Sequence, residues 1–488
     1  MCGTGRAEWR RRPVSLHALD YLRNEVRVVT VAAMGEDGTL RWIGGAEFAA
    51  DSRPDVQGID RRQPVSGPML SVVMPVLDIG GDLAAHVASL RRVLQSIDPD
   101  GELIVAGQSV SRLLPPEGGT AMLRPIDTTE PGFGPAIRAG LQAARGDYVL
   151  TLDAHATQAP DVLRALWQHR HCGEIIIASR YVEGALVGMS TPRRVASRAV
   201  CRIFGRGLSL SVTDVSSAFR LYRGDVLRSQ RLDATDYDLL PEILVRALAA
   251  GWRVAEIPLR TDLSPRSRAI GPLVRLGRAY ARTFTSLWKL RNSIAAGDYD
   301  ARAYDSIIPL QRYWQRQRYK HITELIAGQG SVCDVGCGSS KIIAALPKGS
   351  IALDILPQKL RYARRYGVPL VHGSGFTLPF ADASFPCVLS SQVIEHVEMD
   401  SPMISELLRV LAPGGRLVLG TPDYDRWEWV WMEKAYGFFK PSGYADEHIA
   451  HYTYKGLVQY FASRGYVHEA TRYILRGELI LAFRKPRA

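Results

Sequence analysis

The sequence predicts an α/β protein with two domains, each built around a mostly parallel sheet. Apolar runs of strand length alternate with segments of helical periodicity from Ser71 to Arg260, a pattern typical of parallel sheets covered by helices. A similar alternation with different motifs begins at Ser331. The chain has 488 residues, too many for one ordinary hydrophobic core. These three observations define the predicted fold class.

The composition narrows the class of protein further. Hydrophobic residues make up 46% and charged residues 23% of the chain, as in globular proteins, and no apolar run is long enough for a transmembrane helix. The basic N-terminus lacks the apolar core of a secretory signal, and the scattered cysteines predict reduced thiols in a cytoplasm. The net charge of +12 predicts an anionic partner: phosphate groups, a membrane surface or nucleic acid.

The predicted elements follow in chain order. Residues 1–66 form an extension with two strands joined by a turn, in "VRVVTVAAMGEDGTLRWIGGAEF", and we assign it no chemistry. The first domain, residues 67–270, has predicted strands in "LSVVMPVLD", "ELIVAG", "DYVLTLDA", "EIIIASRYVEGA" and "WRVAEIPLR". Helices are predicted in "DLAAHVASLRRVLQSI" and "GPAIRAGLQAAR". The functional site of such a sheet is expected at the C-terminal ends of its strands.

The stretch "GDYVLTLDAHATQAPDVL" places an acid at such a strand end. Asp153 follows the apolar strand, and His155 stands where a second metal-binding carboxylate would be usual. Because histidine binds Mn²⁺, the pair could hold a divalent cation. A working site, a rebuilt site and a relic are all compatible with this pattern.

Residues 271–300 are predicted as a basic amphipathic helix and a linker. The apolar face of the helix carries Leu273, Leu276, Tyr280, Phe284, Leu287 and Trp288, and the opposite face carries Arg275, Arg278, Arg282 and Lys289. A basic helix with aromatic residues, here Leu273–Arg291, is suited to an anionic membrane interface. The alternative is a helix packed on its own domain with a solvated basic face. The linker is predicted in "NSIAAGDYDARAYD".

The second domain, residues 301–488, opens with a glycine loop. In "CDVGCGSSK" a strand ends at Asp334, and Gly336 and Gly338 allow a ligand to approach the backbone closely. The next strand ends at Asp354, where an acid can accept both ribose hydroxyls of a nucleoside. These features suit either NAD or S-adenosylmethionine.

Later motifs decide between these cofactors. "LPFADASFPCVLSSQVIEHV", "RVLAPGGRLVLGTPD" and "DEHIAHYTYKGLVQYFASRGY" resemble class I S-adenosylmethionine-dependent methyltransferases, with a Rossmann-like fold, over about residues 325–485. The resemblance implies that the glycine loop surrounds the methionine end of the cofactor and that Asp354 holds the ribose. Ser374 stands where family members commonly place an acid for the adenine amine, and Gly375 and Phe376 remain available there.

A hydroxyl acceptor would need a base for methyl transfer. His396, in "IEHV", is our candidate, with a structural role as the alternative. His448 and His451 lie in a later lid-like stretch and are weaker candidates. The aromatic segment "YDRWEWVWMEKAYGFF" is either a lid over the acceptor or a packing helix.

The first domain resembles family 2 glycosyltransferases of the dolichyl-phosphate mannosyltransferase type, which have a GT-A fold. The motifs are "SVVMPV", "GFGPAIRAGLQAARGDYVLTLDA", "IIASRYVEGA", "TDVSSAFRLYRGDVL" and "AGWRVAEIPLR", over about residues 69–291. The resemblance implies that Asp153, with His155, binds Mg²⁺ or Mn²⁺. It implies further site positions at Arg180 and Asp214 for catalysis, and at Pro75, Asp78, Arg138, Arg193, Ser197, Arg220 and Arg268 for substrate phosphates and the donor.

Three departures from that family bear on the donor. "VLD" replaces the family's Tyr-Asn-Glu, "IVAGQS" lacks its paired aspartates, and His155 replaces an acid. They leave open a rebuilt site for a different donor, or a scaffold without turnover.

The expected function is therefore a bifunctional transferase. The first half would pass a sugar from a nucleotide sugar to a polyprenyl phosphate or related glycan acceptor, and the second would methylate in the same pathway. The alternative is a methyltransferase whose degenerate glycosyltransferase-like domain only binds. We expect a cytoplasmic protein, peripheral at the inner face of the cell membrane through Leu273–Arg291. We expect no nucleic-acid partner, because basic motifs interleaved with aromatic residues are lacking.

Overall fold

A computed structural model describes residues 32–34, 40–42, 69–77, 83–114, 122–152, 159–262, 273–439 and 448–487. Two seven-stranded sheets, one in each half of the chain, confirm the predicted α/β class. In the N-terminal extension, β1 (Ala32–Met34) and β2 (Leu40–Trp42) pair antiparallel, as the turn-containing pattern predicts.

The first large sheet has the strand order β10-β7-β9-β6-β3-β4-β5. Strand β9 runs antiparallel to β6 and β7, and the other pairings are parallel. The strands are β3 (Leu70–Val76), β4 (Glu102–Gly107), β5 (Met122–Asp127), β6 (Tyr148–Thr151), β7 (Ile175–Ser179), β8 (Leu186–Gly188), β9 (Arg220–Arg223), β10 (Val254–Pro258) and β11 (Arg260–Asp262). The short strands β8 and β11 pair with each other beside this sheet.

Helices cover the sheet because their apolar stripes face it. The amphipathic α1, for example, buries Val87, Leu90 and Leu94. The helices are α1 (Leu83–Ile97), α2 (Val110–Leu113), α3 (Phe133–Ala143), α4 (Ala159–Gln168), α5 (Thr191–Gly207), α6 (Gly224–Arg228), α7 (Leu239–Ala249) and α8 (Leu273–Arg291). All residues of β3, β4 and β7 are buried, which explains why these strands are continuous apolar runs.

Helix α8 has the predicted bounds, but its apolar face packs within the domain. Tyr280 and Phe284 contact the Phe204 ring of α5 edge-on, with ring centroids 5.8 and 5.3 Å apart. Leu287 is buried in the same core, while Trp288 is 42% exposed. The packing alternative therefore accounts for the central part of this face, and Trp288 does not belong to the buried stripe.

The second sheet has the order β14-β13-β12-β15-β16-β18-β17, in which β18 runs antiparallel to both neighbours. Its strands are β12 (Val332–Val335), β13 (Ile351–Asp354), β14 (Leu370–His372), β15 (Phe385–Ser391), β16 (Leu411–Pro422), β17 (Val467–Ile474) and β18 (Glu478–Arg484). The helices of this half are α9 (Tyr299–Tyr304), α10 (Pro309–Ile326), α11 (Pro357–Ala363), α12 (Pro402–Val410), α13 (Trp427–Phe439) and α14 (Tyr454–Ala462). Among the described helices, none combines the length and apolar character needed to cross a membrane.

The predicted linker is a packed segment. Arg291, at the end of α8, forms a buried ion pair with Asp298 at 2.6 Å, and α9 buries Tyr299. Arg361 of α11 reaches across to the first domain, where its guanidinium lies 3.9 Å from the Trp252 ring centroid and donates to the Ala250 carbonyl. Local composition suggested a linker, whereas burial of these side chains makes the segment part of the contact between the two halves.

Candidate functional site

A cavity of about 180 Å³ opens at the C-terminal ends of β3 and β4. Its described lining is Val76, Leu77, Gly107, Gln108, Thr128, Pro131 and Gly132. Gly107 is required here, because an added Cβ would lie 2.4 Å from the Val76 carbonyl oxygen. Pro75 immediately precedes this lining in β3, and its substrate-binding role stays a prediction.

An acid that the sequence analysis missed precedes the lining residue Thr128 in the chain. Asp127 ends β5 next to Thr128 and accepts a hydrogen bond from the Ser111 amide at 3.0 Å. The Ser111 hydroxyl and amide hydrogen bonds hold the pKa of Asp127 below its usual range. Its position at a strand end is a usable signal, but the sequence pattern does not predict this strand.

Arg180 and Asp214, both predicted as catalytic, form a buried bidentate ion pair. Arg180 Nε and Nη2 donate to the two Asp214 carboxylate oxygens at 2.7 and 2.6 Å. Nη2 also donates to the Ser216 hydroxyl at 2.7 Å. The predicted Ser197 lies in the same cluster, with its hydroxyl 3.2 Å from that of Ser216. The structure thus brings three predicted residues together.

The electrostatics of this cluster are set by burial and pairing. Burial alone would raise the pKa of Asp214, but the Arg180 hydrogen bonds and charge outweigh it and lower that pKa. Both partners are therefore charged and mutually neutralised. The guanidinium groups of Arg180 and of the exposed Arg198 lie 5.3 and 5.4 Å from the ring centroid of Tyr181. Arg198, which the sequence analysis did not single out, is the accessible cation beside the pair.

Two of the predicted substrate arginines instead support backbone. Arg220 is fully buried and donates to the carbonyls of Leu240 and Val215, both at 2.7 Å. An enclosed guanidinium cannot contact a substrate, so its predicted binding role is corrected to a structural one. Arg138 donates to the carbonyls of Leu232 and Ala234. Motif matching identifies such positions without showing which way a side chain points.

Five predicted positions are not covered by these contacts. Asp78, Asp153, His155 and Arg268 lie outside the described residues, as does the side chain of Arg193. Their roles in binding the metal and the substrate stay predictions.

In the second domain, the glycine loop and Asp354 meet as predicted. Gly336 and Gly338 have φ angles of +76° and +59°, which favour glycine. The Asp354 carboxylate accepts hydrogen bonds from the Gly338 amide at 2.7 Å and the Leu356 amide at 2.8 Å. Asp334 lies beside them at the end of β12, buried. Adjacent strand ends thus converge on one cradle, which fits the ribose and methionine end of S-adenosylmethionine.

Burial sets the charge of this cradle. It raises the pKa of Asp334 to about 8, with a further contribution from the Asp354 carboxylate. Burial also raises the pKa of Asp354, although the nearby Lys359 and two amide hydrogen bonds offset part of that effect. A sulfonium cation placed here would favour the ionised form of both acids.

The segment predicted to meet the adenine forms a tight turn after β14. The Ser374 hydroxyl accepts a hydrogen bond from the Phe376 amide at 3.2 Å, and Phe376 packs against the domain core. Gly375 lies against Met403, whose Cε would be 3.2 Å from an added Cβ. Ser374 therefore shapes the turn, and adenine binding by these three residues stays a prediction.

The cofactor loop has a further support that the sequence analysis missed. Asp300 of α9 accepts hydrogen bonds from the Ser339 amide at 2.9 Å and from Lys359 at 2.9 Å. An added Cβ on Gly338 would lie 2.5 Å from the Asp300 carboxylate. This acid, in the predicted linker, therefore braces the loop from outside the Rossmann-like sheet. No local motif marks it.

Histidines and acids cluster on the acceptor side of this loop. The turn Ile394–His396 follows β15, and Val393 just before it fits against Gly336. The rings of His396 and His448 lie 5.3 Å apart, and His448 Nδ1 lies 3.1 Å from Glu433 Oε1. Burial and the neighbouring His396 lower the pKa of His448. The predicted candidate His396 is thus joined by His448.

The aromatic segment packs within the domain in part, and its predicted role as a lid over the acceptor stays a prediction. Helix α13 places Glu433 in this cluster and Trp429 against Trp314, with ring centroids 6.2 Å apart. Trp427 and Trp431 are exposed. His451 stacks on the Tyr424 ring at 4.1 Å, outside the cluster.

Comparisons with known proteins match both halves. The family model for family 2 glycosyl transferases matches residues 119–230, and the model for methyltransferase domains matches residues 333–419. The undecaprenyl-phosphate mannosyltransferase of Micrococcus luteus is 32% identical over 139 residues, 27% of this chain and 57% of that protein. The malonyl-(acyl-carrier protein) O-methyltransferase of Methylococcus capsulatus is 34% identical over 128 residues, 24% of this chain and 46% of that protein.

Among solved structures, the magnesium protoporphyrin IX methyltransferase of Synechocystis with bound SAH is similar at 17% identity. The match covers 38% of this chain and 92% of that one, with a TM-score of 0.32. The two curated relatives are matched over less than two thirds of their own length. The family models therefore identify domains: the chain carries a family 2 glycosyl transferase domain followed by an S-adenosylmethionine-dependent methyltransferase domain.

Proposed function

We propose that the protein transfers a sugar from a nucleotide sugar to a polyprenyl phosphate or related glycan acceptor, and methylates a product or acceptor of the same pathway. The observation that carries this proposal is the presence of two separate strand-edge sites on one chain. One is the cavity beside β3 and β4, and the other is the cradle of Gly338 and Asp354. The lipid-phosphate acceptor is favoured because the Micrococcus relative is named for it.

Asp153 and His155 are proposed to hold Mg²⁺ or Mn²⁺ for the donor diphosphate. The ion would neutralise the negative charge of the leaving diphosphate. A lipid phosphate is already an anion, so no strong general base is required for the glycosyl transfer. Arg198, exposed beside Arg180 and Asp214, is placed to attract an anionic group.

The donor proposal predicts metal-dependent nucleotide binding by the full chain. Calorimetric titration with UDP, GDP, CMP and dTDP is expected to show one nucleotide binding in the presence of Mn²⁺ and losing most affinity without it. Asp153→Ala should abolish the metal-dependent part. Asp161→Ala is the matched control, because this acid is exposed on α4 and pairs only with its helix neighbour Arg164 among its described contacts.

A specific observation favours the scaffold alternative. The described lining of the cavity contains no acid, whereas a nucleotide base and ribose are usually held by carboxylates in the related enzymes. If the chain binds none of the four nucleotides at saturating Mn²⁺ but still binds S-adenosylmethionine, the glycosyl transfer is contradicted. Only the methyltransferase activity would then remain.

We further propose a peripheral contact with an anionic membrane through the packed helices α5 and α8. Exposed cations on these helices are Arg194, Arg198, Arg202, Arg206, Arg278, Arg282 and Lys289. The apolar residues Val195 and Ile203 are 63% and 60% exposed, and Trp288 lies on the outer side of α8. Cations interleaved with exposed apolar side chains match the chemistry of a headgroup region. The buried face of α8 takes no part.

Sedimentation with vesicles tests this contact. The chain is expected to bind vesicles containing anionic lipid and not neutral vesicles, with binding that weakens as salt rises. Arg202→Ala with Arg282→Ala should weaken binding about fivefold per cation removed, or ~1 kcal/mol each. Lys320→Ala with Lys348→Ala removes two exposed cations from the other domain and is the control. Equal losses in both double variants would contradict the assigned surface.

A further inference from the structure

We propose that Glu395, His396 and His448 form a divalent-cation site in the methyltransferase domain, which holds an acceptor that ligates the ion through an oxygen. One ligand atom from each of the three residues lies within 4.8 Å of the others. Two imidazoles and a carboxylate suit Zn²⁺, Mn²⁺, Co²⁺ or Fe²⁺ better than Ca²⁺. The inference rests on the methyl transfer proposed above and names a class of acceptor for it.

The contacts around His448 are those of an oriented ligand. Its Nδ1 lies 3.1 Å from Glu433 Oε1 and 2.7 Å from the Tyr424 hydroxyl. A carboxylate on one ring nitrogen sets the tautomer of a metal-binding histidine, so Nε2 is the nitrogen of His448 that would bind the ion. The same contacts keep the ring from turning away. Glu433 therefore acts as the outer partner of the site.

Glu395 gives an independent reason to expect a cation. The residue is 1% exposed, and its Oε2 has no hydrogen-bond partner among the described residues. A buried carboxylate oxygen without a partner is costly, and a cation beside it would remove that cost. The neighbouring imidazoles supply the rest of the coordination.

Backbone contacts hold the two parts of the site together. The Glu395 carbonyl accepts hydrogen bonds from the Ile449 amide at 3.0 Å and the Ala450 amide at 3.1 Å. These bonds tie the segment after β15 to the segment that carries His448, although about fifty residues separate them in the chain. The site is thereby assembled by the fold and not by one loop.

The location links the ion to the methyl donor. Val393 fits against Gly336 of the cofactor loop, so the three ligands lie just beyond the loop on its acceptor side. An acceptor hydroxyl bound to the ion would release its proton to solvent more readily, and its oxygen would lie near the cofactor. In the transfer itself, that oxygen would form the new bond to the methyl carbon as the carbon–sulfur bond breaks, releasing the neutral thioether.

The test is a metal titration of the full chain in the Asp153→Ala background, which removes the proposed site in the first domain. The protein is stripped of metal and titrated with Co²⁺ by absorption and with Zn²⁺ by calorimetry. We expect one saturable site with the spectrum of a nitrogen- and oxygen-ligated ion. Adding His448→Ala should abolish that site, and Glu433→Gln should weaken it about 10- to 100-fold.

His468→Ala is the matched control, because this histidine lies in the same domain and its Nε2 contacts the Ala470 carbonyl and the Thr471 hydroxyl instead of the cluster. It should leave metal affinity unchanged. Binding of S-adenosylmethionine by every variant reports folding, and its retention separates failure of this inference from failure of the methyltransferase proposal. No saturable site, or equal affinity in the His448→Ala variant, would overturn the metal site and leave the two histidines as a metal-free acid–base pair.

Discussion

Replacing Asp354 with alanine is expected to weaken S-adenosylmethionine binding about 100-fold or more, because hydrogen bonds to a charged group contribute about 1.5–3 kcal/mol each. The carboxylate is proposed to accept both ribose hydroxyls. It also accepts hydrogen bonds from the Gly338 and Leu356 amides at 2.7 and 2.8 Å. Loss of the carboxylate therefore loosens the glycine loop as well. Calorimetry on the full chain measures the change.

A second variant separates the effects of charge and shape on this affinity, and a third is the control. Asp354→Asn keeps the shape and one acceptor oxygen but removes the charge, and should retain more affinity than alanine. Asp382→Ala is the control, because this exposed acid pairs with Arg409 away from the cradle. Unchanged affinity in Asp354→Ala would remove Asp354 from the cofactor site and with it the assigned position of the ribose.

Replacing Asp214 with alanine is expected to destabilise the first domain by about 3–5 kcal/mol, the usual cost of leaving one partner of a buried ion pair without the other. Arg180 would keep its charge in an enclosed position and lose two hydrogen bonds at 2.6 and 2.7 Å. The Ser216 and Ser217 amides would lose their acceptor too. Chemical denaturation, followed as the midpoint of the first domain's transition, measures this shift.

The double variant Arg180→Leu with Asp214→Leu distinguishes an ion pair that only stabilises the fold from one that also acts in the glycosyl transfer. Apolar replacement removes the unpaired charge, so the double variant should recover part of the lost midpoint, while the Ser216 and Ser217 amides still lack their acceptor. If it recovers stability but no longer binds the nucleotide identified above, the pair acts in the glycosyl transferase site. A midpoint unmoved by Asp214→Ala would show that Arg180 finds another partner and that the pair is not a unit.

Much of the fold was readable because it rests on local periodicity. Helix α8 occurs at the predicted Leu273–Arg291, and strands β3, β4 and β12 fall in the predicted apolar runs. The glycine loop and Asp354 were also readable, since a positive φ and a strand end leave marks in the sequence. Strand β5 was missed because "MLRPID" contains an arginine and a proline that break the apolar run.

The sequence did not show what packs against each helix face or which way each side chain points. The apolar face of α8 had two compatible partners, a membrane or its own domain, and the choice depends on Phe204, which lies about seventy residues earlier in the chain. Arg220 and Arg180 look alike within their motifs, yet one is enclosed among carbonyls and the other pairs with Asp214. Only the folded chain sets the direction of a side chain.

The sequence by itself therefore determined the two α/β halves, the families that they resemble and the glycine loop beside Asp354, because periodicity, glycines and strand-end acids act over a few residues. The tertiary structure alone decided that Asp300 braces the cofactor loop and that Glu433 orients His448 beside His396. These contacts join segments far apart in the chain. Hydrogen bonding and burial at such distances depend on how the elements pack, which no local pattern records.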